Sequence, residues 1–237
     1  MARNLITMIA VRSNQRDDTE LYLQAAIITI NRLKQYVINW DICILVDEYT
    51  ACHYGELYSK AGARVIRLKY TTIDYEQVNL FYFTCARYFH LDELSNGRYM
   101  LVIDLHYYWN TKYLEHFETQ VLDKWVTSGK KFLIKPVTAC YTDRTCFAGF
   151  VGFKKDYDNY LFTIKGAFRS FLEEKNLAIK DLKYGHDEKF LNYLNLNKGN
   201  SFICTKFYGH YRLQTWLDPQ KFATLVAEYT QELLLLN

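Results

Sequence analysis

The sequence predicts an α/β protein, a single domain with a mainly parallel central sheet flanked by helices and a mixed second half. Three observations predict it. Short apolar runs rich in strand formers alternate with longer stretches of helical periodicity, which implies crossover connections and parallel strands. Several of these runs are continuously apolar, as strands covered on both faces are. No linker-like stretch divides the 237 residues, and their only prolines are Pro136 and Pro219.

Residues 5–11 form the first strand and 12–16 the loop at its carboxyl end. Asp17 and Glu20 stand at capping-box spacing, so a helix begins there. Leu21, Ala25, Ile28 and Leu33 carry its apolar face towards Tyr36. Residues 40–46 are the second strand, ending at Asp47. A helix over roughly 52–61 stops at Gly62, and 63–68 is the third strand. An aromatic helix over 79–91 feeds the fourth strand, residues 100–103. In the second half, 113–126 reads as helix, 131–137 as strand, and 146–153 as a strand interrupted by Gly149 and Gly152. Glycines there often mark the close approach of a ligand or another backbone. Helices follow over 159–175 and 186–194, then a short strand over 201–205. Asp218 and Pro219 start a last helix that runs to Leu236.

Composition excludes several classes. A net charge of +3 without a dense Lys/Arg cluster argues against nucleic acid as a partner. The six cysteines form no Cys-x-x-Cys pair, which argues against a zinc ribbon and leaves reduced, mostly buried thiols. No apolar run has the length of a membrane span, and the first residues turn polar too soon for a signal peptide. A soluble, cytoplasmic protein is expected. Neither a Gly-x-Gly-x-x-Gly nor a Walker-type loop follows the first strand.

The chemistry concentrates at Asp104-Leu105-His106, where the fourth strand ends. Side chains alternate along extended chain, so Asp104 and His106 face the same side. They do so at the carboxyl edge, where open α/β sheets bind ligands. Such a pair suits one divalent cation; a solvated strand end is the plainer alternative.

The order of these parts resembles a GT-A glycosyltransferase. Asp104-Leu105-His106 stands where that family has Asp-x-Asp after its fourth strand, with His106 as the departure. Phe147-Ala148-Gly149-Phe150-Val151-Gly152 is similar to the family's glycine-containing strand beside the donor sugar. Tyr184-Gly185-His186-Asp187-Glu188-Lys189-Phe190-Leu191 is similar to the acidic motif that opens the following helix. The resemblance covers most of the chain. It implies a nucleotide-binding half of about residues 1–110 and an acceptor and catalytic half of about residues 111–237 within one domain.

The resemblance also implies an activity: a sugar moves from a UDP- or GDP-linked donor to a hydroxyl of a glycan or glycoprotein. The implied cofactor is Mn²⁺, or Mg²⁺, bridging the donor phosphates as a Lewis acid. Its implied ligands are Asp104, His106 and His210; Asp104 is also an implied donor-binding residue, holding the ribose hydroxyls or the metal-bound water, and imidazole favours Mn²⁺. Asp187, at a helix N-terminus, is the implied general base of an inverting displacement, with Glu188 beside it. Ala10, Val11 and Arg12 would lie beside the nucleotide, Asp47 could bond its base, and Arg87 could reach the diphosphate or base. Gly149 would adjoin the donor. Tyr107, Tyr108 and Trp109 could line the sugar or acceptor site. Plainer readings stand beside these: Asp47 as a strand-end carboxylate, Arg87 as a snorkelling side chain, Asp187 as a helix cap.

A catalytically silent nucleotide-sugar binding module is the alternative, motivated by His106 in place of an acidic ligand. A nucleotidyltransferase on a similar sheet is disfavoured, because the loop containing Ser13 and Asn14 lacks the glycines such enzymes use.

Overall fold

The computed structural model describes residues 3–12, 19–68, 80–89, 99–105, 117–129, 132–134, 150–154, 164–196, 202–204 and 219–235. The Asp17 cap, His106, the rings at 107–109, Gly149 and His210 lie outside the described residues.

The elements run β1 (Asn4–Ala10), α1 (Thr19–Tyr36), β2 (Trp40–Val46), α2 (Glu48–Lys60), β3 (Arg64–Arg67), α3 (Leu80–Ala86) and β4 (Tyr99–Ile103). A π-helical stretch, Phe117–Leu122, leads into α4 (Asp123–Ser128). Then come β5 (Phe132–Ile134), β6 (Phe150–Lys154), α5 (Ile164–Glu174), a 3-10 turn (Ile179–Asp181), α6 (His186–Leu196), β7 (Phe202–Cys204) and α7 (Pro219–Leu235). The chain divides into two compact units. The first comprises Met1–Leu5, Tyr70–Ile103 and Trp125–Lys206; the second comprises Ile6–Lys69, Asp104–Lys124 and Phe207–Asn237.

In the second unit the strand order is β3-β2-β1, and β2 pairs with β3 in parallel, from Cys43 opposite Arg64 to Val46 opposite Arg67. The apolar run of β2 is buried at every residue but Asp41. On α1, Ala25, Ile28 and Leu33 are fully buried at the expected helical spacing, whereas Leu21 is exposed. Ala25 and Ile28 pack with Phe222, Leu225, Val226 and Tyr229 of α7. A hydrogen bond of 3.3 Å from Arg32 Nε to Tyr229 Oη continues that seam. Helix α2 starts about a turn earlier than predicted, because Asp47 caps it. It ends at Lys60 with Ala61 as its cap, and Gly62 follows with a φ of +103° that suits only glycine without strain.

In the first unit the strand order is β4-β6-β5-β7. Strands β4 and β5 each pair antiparallel with β6, and β5 pairs parallel with β7. All five residues of β4 are buried, as a central strand requires. Helix α5 buries Ile164, Ala167, Phe168 and Phe171, a stripe at three- and four-residue spacing. Phe168 and Phe171 meet Phe190 of α6 at ring-centroid distances of 5.1 and 5.6 Å, and Phe168 meets Phe89 at 5.1 Å. One glycine expectation is corrected here. A Cβ on Gly152 would sit 2.7 Å from the Trp125 ring and 2.8 Å from Leu133 Cβ. Core packing, rather than a ligand, excludes a side chain there.

The fold class is the predicted one: mixed α/β, with parallel pairing in the first half, mixed pairing in the second, and helices flanking the strands. Among the described residues, no helix is long and apolar enough to cross a membrane.

Candidate functional site

In the first unit the motif around Asp187 begins at a tight turn. Gly185 has φ +85°, a value that side-chain-bearing residues rarely adopt. The Lys183 backbone N–H donates to His186 Nδ1 at 2.9 Å, and the Lys189 N–H donates to the Gly185 carbonyl at 3.1 Å to open α6. Asp187 therefore enters in the first helical turn. Its Oδ1 accepts the Glu188 N–H at 3.0 Å, and its Oδ2 accepts Arg87 Nη2 at 3.1 Å.

This ion pair joins two residues 100 positions apart. The Arg87 side chain is 5 % exposed and that of Asp187 is 14 % exposed. The Arg87 guanidinium also lies 5.2 Å from the Tyr88 ring centre. Glu188 and Asn192, one helical turn apart, are buried as well. Among the described residues, Arg87, Glu188 and Asn192 are the buried polar and charged side chains of this unit. Buried charge is costly, and replacing such a pair by apolar groups often leaves stability unchanged or higher. Its concentration at one helix start marks a functional-site candidate. The local field is felt nearby: burial first, then the Asp187 carboxylate, push the Cys85 thiol well above its ordinary pKa, against the opposing Arg87.

The second unit holds the expected nucleotide residues. Ala10 closes β1 and is fully buried; Val11 and Arg12 follow it. The Arg12 N–H donates to Asp47 Oδ2 at 3.1 Å, and the Thr50 N–H donates to Asp47 Oδ1 at 2.9 Å. Asp47 is fully buried. Its carboxylate thus caps α2 and fixes the backbone after β1. The Arg12 guanidinium lies over the Tyr49 ring, 4.2 Å from its centre, and that ring stacks on His53 at 4.0 Å. Glu20 accepts from the Tyr49 and Tyr54 hydroxyls at 3.1 and 2.5 Å, joining the start of α1 to α2. The hydrogen bond to Glu20 is the main reason the Tyr49 phenol is raised above its ordinary pKa.

Asp104 directly follows β4 and is partly exposed. The next residue is anchored, since the Thr29 hydroxyl on α1 donates to the Leu105 carbonyl. Among the described residues no group of three or more His, Cys, Asp or Glu side chains is placed to hold a metal ion. Of the three expected ligands, only Asp104 is described.

Of the predicted site residues, the structure brings together Arg87, Asp187 and Glu188 in the first unit, and Arg12 with Asp47 in the second. Sequence reasoning missed Asn192, although its spacing from Glu188 was a usable signal. It also missed the Tyr49 ring beneath Arg12, which nothing in the sequence marked.

No family model matches the chain, and no curated protein does. Solved structures do match in fold. A glycosyltransferase involved in glycosylation of the major capsid of PBCV-1 aligns over 98 % of this chain and 100 % of its own, at 12 % identity and a TM-score of 0.51. The galactosyltransferase LgtC, solved in complex with donor and acceptor sugar analogues, aligns over 85 % of this chain and 73 % of its own, at 12 % identity and a TM-score of 0.51. The 4-diphosphocytidyl-2C-methyl-D-erythritol synthase of Anaerococcus prevotii aligns over 96 % of each chain, at 12 % identity and a TM-score of 0.50. The architecture of this chain is therefore the GT-A-like fold that these structures share.

Proposed function

We propose that the protein is a metal-dependent glycosyltransferase, moving a sugar from a nucleotide-diphosphate-sugar donor to a hydroxyl of a glycan. The Arg87–Asp187 contact carries this reading. Two residues to which the resemblance gives separate roles, donor binding and catalysis, meet at 3.1 Å in a setting where an ion pair adds little to stability. The GT-A-like fold is consistent with the proposal but also serves other chemistry, so the site must decide.

Asp187 takes the acceptor hydroxyl's proton as that oxygen attacks the anomeric carbon. The bond from that carbon to the diphosphate breaks, its electron pair leaves with the nucleoside diphosphate, and the configuration inverts. Arg87 orients the Asp187 carboxylate, and the buried Glu188 supports the helix start from within. Ala10, Val11 and Arg12 take the nucleotide, with Asp47 holding the Arg12 backbone. Gly149 adjoins the donor. Asp104, His106 and His210 would hold the cation, one carboxylate and two imidazoles being a donor set suited to Mn²⁺. When bound, the cation stabilises negative charge on the departing diphosphate.

A thermal-shift panel of UDP- and GDP-linked sugars with and without Mn²⁺, followed by a transfer assay, tests the reading. A true donor raises the melting temperature in the presence of Mn²⁺ by mass action. Asp187→Ala and Asp104→Ala each abolish transfer, and full activity in both sinks the proposal. His106→Asp keeps or raises activity. Binding without turnover favours the silent sugar-nucleotide module.

A further inference from the structure

We infer that Tyr184 is a stacking platform for a pyranose ring of the acceptor, a role that rests on the sugar-transfer reading of Asp187. Tyr184 is 68 % exposed, yet it belongs to the turn that delivers Asp187 three residues later. Lone exposed apolar side chains are common and need no function. This one differs because its position is fixed on two sides. Its ring meets Phe81 of α3 edge to face, with centroids 6.5 Å apart and planes 78° apart. Behind it, Gly185 at φ +85° sets the direction in which the chain turns into α6.

Phe81 and Arg87 lie on one short stretch, α3 and the turn after it, so both ends of the α6 entry are tied to that stretch. Tyr184 rests on Phe81, and Asp187 is paired with Arg87. An aromatic ring with an apolar face, a polar hydroxyl tip and few rotatable bonds loses little entropy on binding. The carbon-bound hydrogens of one pyranose face supply the matching apolar surface. Tyr184 and Asp187 stand three residues apart on the turn that opens α6, and a sugar held on that ring would bring the acceptor to the helix start that carries the proposed base.

The experiment uses the full chain, Mn²⁺, the UDP- or GDP-sugar that stabilises it, and a panel of methyl α- and β-hexopyranosides as acceptors. Transfer and acceptor-independent donor hydrolysis are measured for the wild type, Tyr184→Ala and Tyr184→Phe. Tyr184→Ala raises acceptor KM roughly five- to tenfold, the scale of losing one aromatic contact, and leaves donor hydrolysis unchanged. Tyr184→Phe stays near the wild type. Transfer by the wild type with an unchanged acceptor KM in Tyr184→Ala overturns the inference and leaves the glycosyltransferase reading standing. No transfer to any hexopyranoside by the wild type overturns both. Because the side chain is largely exposed, the substitutions leave the melting temperature unchanged, and a matching thermal curve confirms that the comparison is between folded proteins.

Discussion

Replacing Arg87 with Met removes the positive partner of a nearly buried carboxylate and keeps most of the side-chain volume. Arg87 is 5 % exposed and Asp187 is 14 % exposed, so little water is at hand to solvate the charge left behind. Breaking a buried pair from one side costs about 3–5 kcal/mol, whereas an exposed pair is worth about 0–1 kcal/mol. The residual exposure of Asp187 places the expected cost near the lower end, about 3 kcal/mol. For a chain of this length that corresponds to a fall of roughly 6–12 °C in melting temperature. The assay is urea unfolding of the wild type, Arg87→Met, Asp187→Leu and the double variant. The double variant recovers much of the stability lost in either single one, because neither member of the pair is left without the other. A cost under about 1 kcal/mol for Arg87→Met, or strictly additive losses, would show a solvated and uncoupled pair. The inference of a built site at α6 would then fail.

Other perturbations probe the rest of the framework. Gly152→Ala drives a Cβ to 2.7 Å from the Trp125 ring and costs about 1–3 kcal/mol by overpacking; pairing it with Trp125→Leu recovers part of the loss, and a neutral single substitution refutes the close packing. Asp47→Ala removes the α2 cap and the acceptor for the Arg12 N–H, a loss of about 2 kcal/mol in urea unfolding, while Asp47→Asn, retaining one oxygen, loses less. Burial pushes the Cys43 thiol from 9.0 to about 11, so the native protein holds a proton that the unfolded chain releases near 9.0. That contribution is fully present below pH 9 and is lost as the pH rises towards 11; Cys43→Ala flattens stability across that window, and an unchanged slope speaks against the assignment.

The strands were legible where burial alone decides them. The second strand falls at Trp40–Val46 as predicted, and the fourth is buried throughout, because an unbroken apolar run has few alternatives. The pairing directions of the second half were not legible. Strand β6 lies between β4 and β5 and runs antiparallel to both, and this depends on partners distant in sequence. The same limit explains Gly152. Its sequence context advertises a close approach, but only the packing of Trp125 says that the approaching group is a ring of the core.

The site residues were legible one at a time, and the competition between their uses was not. Arg87 and Asp187 were each singled out, yet their contact depends on how α3 and the turn after it lie against α6, through rings such as Phe89, Phe168 and Phe190. Asp47 and Asp104 pose the sharper case, since each is a carboxylate directly after a buried strand. The residues next in the chain separate them. A helix begins immediately after Asp47, and the four amides of a helix start are the nearest unsatisfied donors a carboxylate can find, so Asp47 becomes a cap. Asp104 is followed by Leu105, whose carbonyl is taken by Thr29, and among the described residues no helix opens at that point. A carboxylate on the carboxyl edge of a sheet is thus spent as a cap where a helix opens directly after it.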